Sequence, residues 1–170
     1  MASRLTRKAF YEGNFDAFKV ISTFFTLDSD FVHDAFVKPM QRLFTLSSSG
    51  AIKGDTVIQF GGSYVNVALL PACELFKDII IIDFLDSSLQ TATKWLKEEA
   101  GAHDWGALEK CLGEMEGGRL NWSQLEETMR GKAKEIIKAD LAETHPVAPK
   151  LSIQADCLYT ALCLELLCAN

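Results

Sequence analysis

Three positions carry residue types that could build a nucleotide-type site. Gly61-Gly62 follow the apolar run Val57-Ile58-Gln59-Phe60, Asp83 closes a run of four isoleucines (Ile79–Ile82), and Asp140 stands near the end of "EIIKADL". A glycine pair after a strand lets the backbone turn at positive φ and come close to a ligand. A carboxylate about twenty residues past such a turn is well placed for ribose hydroxyls. Singly, each has a plainer explanation: turns use glycine regardless of ligands, and an acid after a strand caps the next helix. In order, they point to a crevice at the C-terminal ends of parallel strands, where doubly wound sheets bind ligands.

The surrounding pattern supplies the elements such a crevice needs. "NFDAFKVISTFF" and "DSDFVHDAFVKPMQRLFTL" space their apolar residues at three and four, which predicts two amphipathic helices. Asp28, Ser29 and Asp30 are N-cap candidates for the second helix, Pro39 is expected to kink or interrupt it, and Ser47-Ser48-Ser49-Gly50 ends the region as a loop. Thr56–Phe60 and Ile79–Ile82 read as strands, the second apolar on successive residues and therefore buried on both faces. Val65–Phe76 is apolar at helical spacing around an awkward Pro71. Ser87 or Ser88 is expected to cap the helix "SSLQTATKWLKEEA", and a capping box, Ser123-x-x-Glu126, to open another at Trp122–Met129. A helix is also expected over Asp104–Glu116. "EIIKADL" and "ADCLYTALCLELL" complete the strands, the latter running on to the terminus. Strands alternating with helices predict an α/β doubly wound parallel sheet.

Composition narrows the function class. A chain of 170 residues with net charge −6 lacks the basic face of a nucleic-acid binder. No apolar run is long enough to cross a bilayer, and "MASRLTRKAFYEGNF" lacks an apolar signal core, so a cytoplasmic location is expected. Cys73, Cys111, Cys157, Cys163 and Cys168 form no C-x-x-C pair, and only three histidines are present. Free thiols are expected, with no metal site. The sequon Asn121-Trp122-Ser123 has no meaning without export.

The stretch "PACELFKDIIIIDFLDSSLQTATKWLKEEAGAHDW" (Pro71–Trp105), with "KGDTVIQFGG" before it and "ADCLYTALCLE" (Ala155–Glu165) after it, resembles the nicotinamide N-methyltransferase branch of small-molecule amine methyltransferases. That group also holds the phenylethanolamine, indolethylamine and thioether enzymes, and the resemblance runs from Tyr11 onward. It implies a class I S-adenosylmethionine-dependent methyltransferase sheet under an N-terminal helical lid, residues 1–50, with residues 51–170 forming the N-terminal part of the Rossmann-like domain. It also implies S-adenosylmethionine as cofactor and a small amine or pyridine as acceptor. Asp83 then matches the acid that holds the ribose, Asp140 and Leu141 match the adenine contacts, and Tyr11 and Phe15 match lid positions.

Other positions depart from the family pattern. The motif acid-x-Gly-Ser-Gly-Pro reads Gln59-Phe60-Gly61-Gly62-Ser63-Tyr64 here. Two lid tyrosines fall on Val20 and Phe25, the asparagine beside the ribose on Ser88, a threonine near the adenine on Ala161, and a substrate-side acid on Glu165. The cofactor-contacting set implied by the resemblance is thus Tyr11, Phe25, Gly61, Gly62, Ser63, Asp83, Ser88, Asp140, Leu141 and Ala161, and no residue takes a catalytic role. Gln59 brings no negative charge, and Ser63 costs roughly 1 kcal/mol if its backbone is left-handed. The lid hydrogen bonds lost at Val20 and Phe25 are worth about 0.5–1.5 kcal/mol each. Weakened cofactor binding is the expectation.

The family's chains run on for about another third of their length, whereas this one stops at Asn170 after its fourth strand. In the order 3-2-1-4-5-7-6, which the family's sheet resembles, that strand is internal. An open apolar edge calls for cover, and pairing of two copies through Cys157–Leu164 would supply it. Two functions follow: a methyltransferase impaired by truncation, or a non-catalytic methyltransferase-fold module serving in binding or structure as an oligomer.

Overall fold

The computed structural model describes residues 13–24, 30–62, 66–115, 121–139, 144–145, 147, 154–161 and 163. Four strands carry the architecture: β1 (Thr56–Phe60), β2 (Asp78–Asp83), β3 (Ala133–Lys138) and β4 (Cys157–Tyr159). They lie in the order β3-β2-β1-β4, and every pairing is parallel. Parallel neighbours require crossover connections. These carry a 3₁₀ helix (Asn66–Leu75) between β1 and β2, and α4 (Asp86–Leu96), α5 (Gly106–Met115) and α6 (Trp122–Lys132) between β2 and β3. Among the described residues, the helical segments before the sheet include α1 (Ala17–Phe24), α2 (Asp30–Val32) and α3 (Lys38–Ser48). The α/β class and the parallel sheet are as expected from the sequence.

Position in the sheet explains composition. β2 lies between β1 and β3, so Ile79, Ile80, Ile81 and Ile82 are all buried. Ile79 and Ile81 join Val57 in the larger core with the 3₁₀ helix, Met40 of α3, and Leu125 and Met129 of α6. Ile80 and Ile82 face the other way, into a smaller cluster with Phe84, Leu85, Ile137, Ala139 and Cys163. β3 is a lateral strand among the described residues and is charged and exposed at Lys134, Glu135 and Lys138. Charge on a lateral strand discourages further pairing.

Several local expectations are corrected. The interruption expected at Pro39 is present and takes a particular form: His33–Val37 form a π turn in which Lys38 N–H donates to His33 O, and α3 then continues to Ser48. The wider turn moves the carbonyl four residues before Pro39 out of the way of its ring. The stretch with Pro71 is a 3₁₀ helix, whose last carbonyls, Cys73 O and Glu74 O, accept from Lys132 Nζ at 3.1 and 3.0 Å. Neither Ser87 nor Ser88 caps α4; Leu85 holds that position, and both serines lie within the first turn. The Ser123 capping box is not used, because Asn121 is the N-cap of α6 and its side chain accepts from Gln124 N–H at 3.2 Å. β3 stops at Lys138, before Asp140, and β4 stops at Tyr159; the rest of the expected last strand lies largely outside the described residues.

β4 is anchored at its entrance by a carboxylate. Asp156 Oδ2 accepts from the backbone N–H of Asp55 (2.8 Å) and of Thr56 (3.0 Å), and Asp156 N–H donates to Thr56 O (3.0 Å). These N–H donors hold the Asp156 carboxyl below the usual carboxylate range. A Cβ on Gly54, at φ +144°, would overlap the Asp156 side chain, so glycine is required there. No helix among the described residues is long and apolar enough to cross a membrane.

Candidate functional site: the crevice at the ends of β1 and β2

β1 delivers the chain to Gly61 and Gly62, both left-handed at φ +69° and +59°. Gly61 N–H donates to Ile82 O at 2.8 Å, which extends the ladder to β2 by one bond before the chain turns away. Side chains are excluded from this turn by the protein itself. A Cβ on Gly61 would overlap the Cys163 thiol, and one on Gly62 would lie 2.7 Å from Ala161 O. The glycines therefore serve two needs, a left-handed turn and close approach of the segment after β4.

Asp83 ends β2 beside this turn and is 2% exposed. Its Oδ1 accepts from Leu85 N–H at 3.0 Å, and its backbone carbonyl accepts from Ala139 N–H at 2.8 Å. The carboxylate thus fixes the exit from β2 into α4, while the carbonyl ties that exit to the end of β3. In the first turn of α4, Ser87 Oγ donates to Phe15 O at 3.0 Å, joining the N-terminal region to the rim of the crevice. Its neighbour Ser88 is fully buried, and its Oγ has no hydrogen-bond partner among the described residues.

Gln59, the penultimate residue of β1, is 1% exposed, and its Oε1 likewise has no partner among the described residues. Its register partners are Ile81 on β2 and Tyr159 on β4. Burial pushes the Tyr159 phenol up to about 12, so it is neutral at physiological pH. A buried polar atom left unpaired costs about 1–3 kcal/mol. Two of them, Gln59 Oε1 and Ser88 Oγ, belong to the elements that border the crevice.

Of the expected cofactor positions, the structure brings Gly61, Gly62 and Ala161 together, with Asp83 at the adjoining strand end and Ser88 one helical turn on. Tyr11, Phe25, Ser63, Asp140 and Leu141 lie outside the described residues, as do Tyr64 and Glu165. Cys163 was not foreseen as part of the turn. Only the folded path of the chain places it against Gly61, and nothing in its local sequence signals this. Cys73 and Cys157 are free thiols, and burial pushes the Cys73 thiol up to about 12. Among the described residues, no group of His, Cys, Asp and Glu side chains is placed to hold a metal ion.

These residues fit an adenosyl ligand. Among the described residues Gln59 Oε1 and Ser88 Oγ lack partners, glycine backbone allows close approach, and a carboxylate stands at the next strand end. Asp83, Ser88 and the Gly61-Gly62 backbone are the groups that would hold it.

The model of the NNMT/PNMT/TEMT family matches residues 3–170. The chain is 32% identical over 162 residues to indolethylamine N-methyltransferase of Mus musculus, an alignment covering 94% of this chain and 61% of that protein. It is 32% identical over 172 residues to nicotinamide N-methyltransferase of Sus scrofa, covering 100% of this chain and 65% of the relative. Phenylethanolamine N-methyltransferase of Macaca mulatta is 32% identical over 120 residues, covering 69% and 43%. The chain thus spans less than two thirds of the length of these relatives.

Proposed function

Because the chain belongs to the NNMT/PNMT/TEMT family, we propose that its crevice binds S-adenosylmethionine and serves methyl transfer to the nitrogen of a small amine or pyridine, with cofactor affinity below that of a site holding an acid at position 59. The observation that carries the reading is the left-handed glycine turn beside Asp83, on elements where buried Gln59 Oε1 and Ser88 Oγ have no partner among the described residues. When bound, the cofactor would supply an electrophilic methyl group to an acceptor nitrogen, and Asp83, Ser88 and the Gly61-Gly62 backbone would hold it. Such a transfer depends chiefly on positioning. Asp83 orients the ribose, Ser88 offers its hydroxyl beside it, and the glycine turn carries the backbone against the ligand.

A second reading is favoured by Gln59. A neutral amide, buried where the family motif has an acid, suits a methyltransferase-fold module that binds an adenosyl ligand poorly or not at all and acts by association, including with a second copy of itself. Calorimetry with S-adenosylmethionine and S-adenosylhomocysteine separates the two. Micromolar binding, with labelled methyl transferred to nicotinamide or tryptamine, supports the enzyme; binding without transfer, or no heat at high micromolar ligand, supports the module. A cytoplasmic location accords with either reading and is checked by fractionating cells that express the chain.

A further inference from the structure

The N-terminal helix α1 is seated on the rest of the chain by contacts of different kinds. Ala17 and Ile21 are fully buried, and Ile21 belongs to the larger core. Just before the helix, Phe15 O accepts from Ser87 Oγ at 3.0 Å. Phe18 is 51% exposed, and its ring meets the half-buried His103 imidazole edge-to-face, with ring centres 6.4 Å apart. His103 in turn meets Trp105 edge-to-face at 4.4 Å, and Trp105 is buried in the larger core. An imidazole therefore stands between a ring carried by α1 and a ring fixed in the core. Among these contacts, it is the one whose charge changes near neutral pH.

Burial holds the His103 imidazole below its ordinary range, and the Asp104 carboxylate opposes that drop. Asp104 Oδ1 also accepts from Gly106 N–H at 2.9 Å. On the α1 side the charged residues are Lys19 and Asp16, whose Oδ1 accepts from Lys19 N–H at 3.0 Å. Between α4 and His103 they are Lys97, Glu98 and Glu99, with Glu98 paired to Arg130 at 3.5 Å. A proton on His103 gains little from Phe18, whose ring centre lies beyond the roughly 6 Å reach of a cation–π contact. Trp105 is within that reach, but it belongs to the same segment as His103, so its attraction is the same with α1 seated or loosened.

We infer that His103 is a pH-sensitive latch for α1: the neutral imidazole lets Phe18 seat the helix, and protonation loosens it. Loosening α1 uncovers the imidazole to water, where it takes a proton more readily, so by linkage the proton favours the loosened state. The folded value is depressed, so the contribution of the latch is present above the unfolded value of about 6.5 and is lost as pH falls through the folded one. Phe15 O and Ser87 Oγ join the same region to the first turn of α4, so the latch acts beside the crevice without requiring a ligand in it.

The test is amide hydrogen exchange of the ligand-free full chain from about pH 7.5 to about pH 5, either side of the histidine range. It follows Val20, whose N–H donates to Asp16 O at 2.9 Å, and Ile21 in α1, with Ile80 and Ile81 of β2 for comparison. Rates are read as protection factors, so the intrinsic pH dependence of exchange cancels. In the wild type, α1 is expected to lose protection as pH falls while β2 holds its own. His103→Phe keeps a ring between Phe18 and Trp105 but does not titrate, and its α1 protection is expected to stay level; His33 and His145 are unchanged in it. Phe18→Ala is expected to leave α1 less protected than the wild type at about pH 7.5 and to lose less on acidification. Wild-type α1 protection that is level with pH overturns the inference, as does an equal fall in His103→Phe. A fall shared by α1 and β2 overturns it too, because that is a loss of global stability. If His103→Phe does not fold, Phe18→Ala decides, and an acid loss as large as the wild type's overturns the latch.

Discussion

The thiol of Cys163 fills the space that a Cβ on Gly61 would need, and Gly61 itself is held at φ +69°. The turn at the end of β1 is thereby keyed to the segment that follows β4, although the two residues are a hundred positions apart in the chain. That contact accounts for the glycine without reference to a ligand.

Replacing Gly61 by Ala meets both the left-handed backbone and the sulfur, and is expected to cost about 2–4 kcal/mol in urea denaturation. Adding Cys163→Ala to that variant relieves the overlap and should recover about 1–2 kcal/mol, leaving the backbone term. Strict additivity of the two substitutions would refute the contact.

The Asp156 carboxylate ties β4 to β1 through two backbone N–H groups. Its folded-state pKa is depressed, chiefly by Thr56 N–H and then Asp55 N–H, so its contribution to stability is present above the unfolded value of about 4 and is lost as pH falls through the folded value. The urea midpoint of the wild type should fall as pH drops below 4, and Asp156→Ala should lower the midpoint at pH 7 while flattening that acid limb. Equal acid limbs in the two proteins would remove the carboxylate from the account.

Glu109 on α5 is pushed up to about 7, first by burial and then by the hydrogen bond and charge of Glu126 on α6, with Asp104 adding to the rise and Arg130 opposing it. Arg130 is engaged by Glu126 at 3.2 Å and Glu98 at 3.5 Å, and it stacks 4.4 Å from the Trp95 ring centre. A folded pKa raised above the unfolded one means that stability is full below about 4.5 and is lost as pH rises toward 7. Glu109→Gln should therefore exceed the wild type in urea midpoint at pH 8 and match it near pH 4. A variant that gains nothing at pH 8 would contradict the raised Glu109 carboxyl.

How much of this was legible beforehand depended on whether a feature is local. β1 and β2 were readable because their apolar runs are bounded by a glycine turn and by Asp83, and burial on both faces leaves its mark on successive residues. The π turn before Pro39 and the 3₁₀ helix around Pro71 were not, because periodicity reveals an apolar face but not which hydrogen-bond spacing a proline will permit. Ser87 and Ser123 looked like caps by type; Leu85 and Asn121 hold those places because strand exit and tertiary packing set where the helices start. In the crevice, Gly61, Gly62 and Asp83 could be named from their order along the chain. The contact of Cys163 with Gly61 and the unpaired burial of Gln59 depend on which strand lies beside β1, and only the fold settles that.

The central claim, that the glycine turn is part of an adenosyl-ligand site, is tested most directly by titrating S-adenosylhomocysteine into protein labelled with ¹⁵N-glycine. The chain has 11 glycines, and single replacements at Gly50 and Gly101 assign two reference signals from turns outside the crevice. The account predicts saturable shifts of the Gly61 and Gly62 amide signals at micromolar ligand, with Gly50 and Gly101 unmoved. Gly61 and Gly62 signals that stay fixed at millimolar ligand would contradict it.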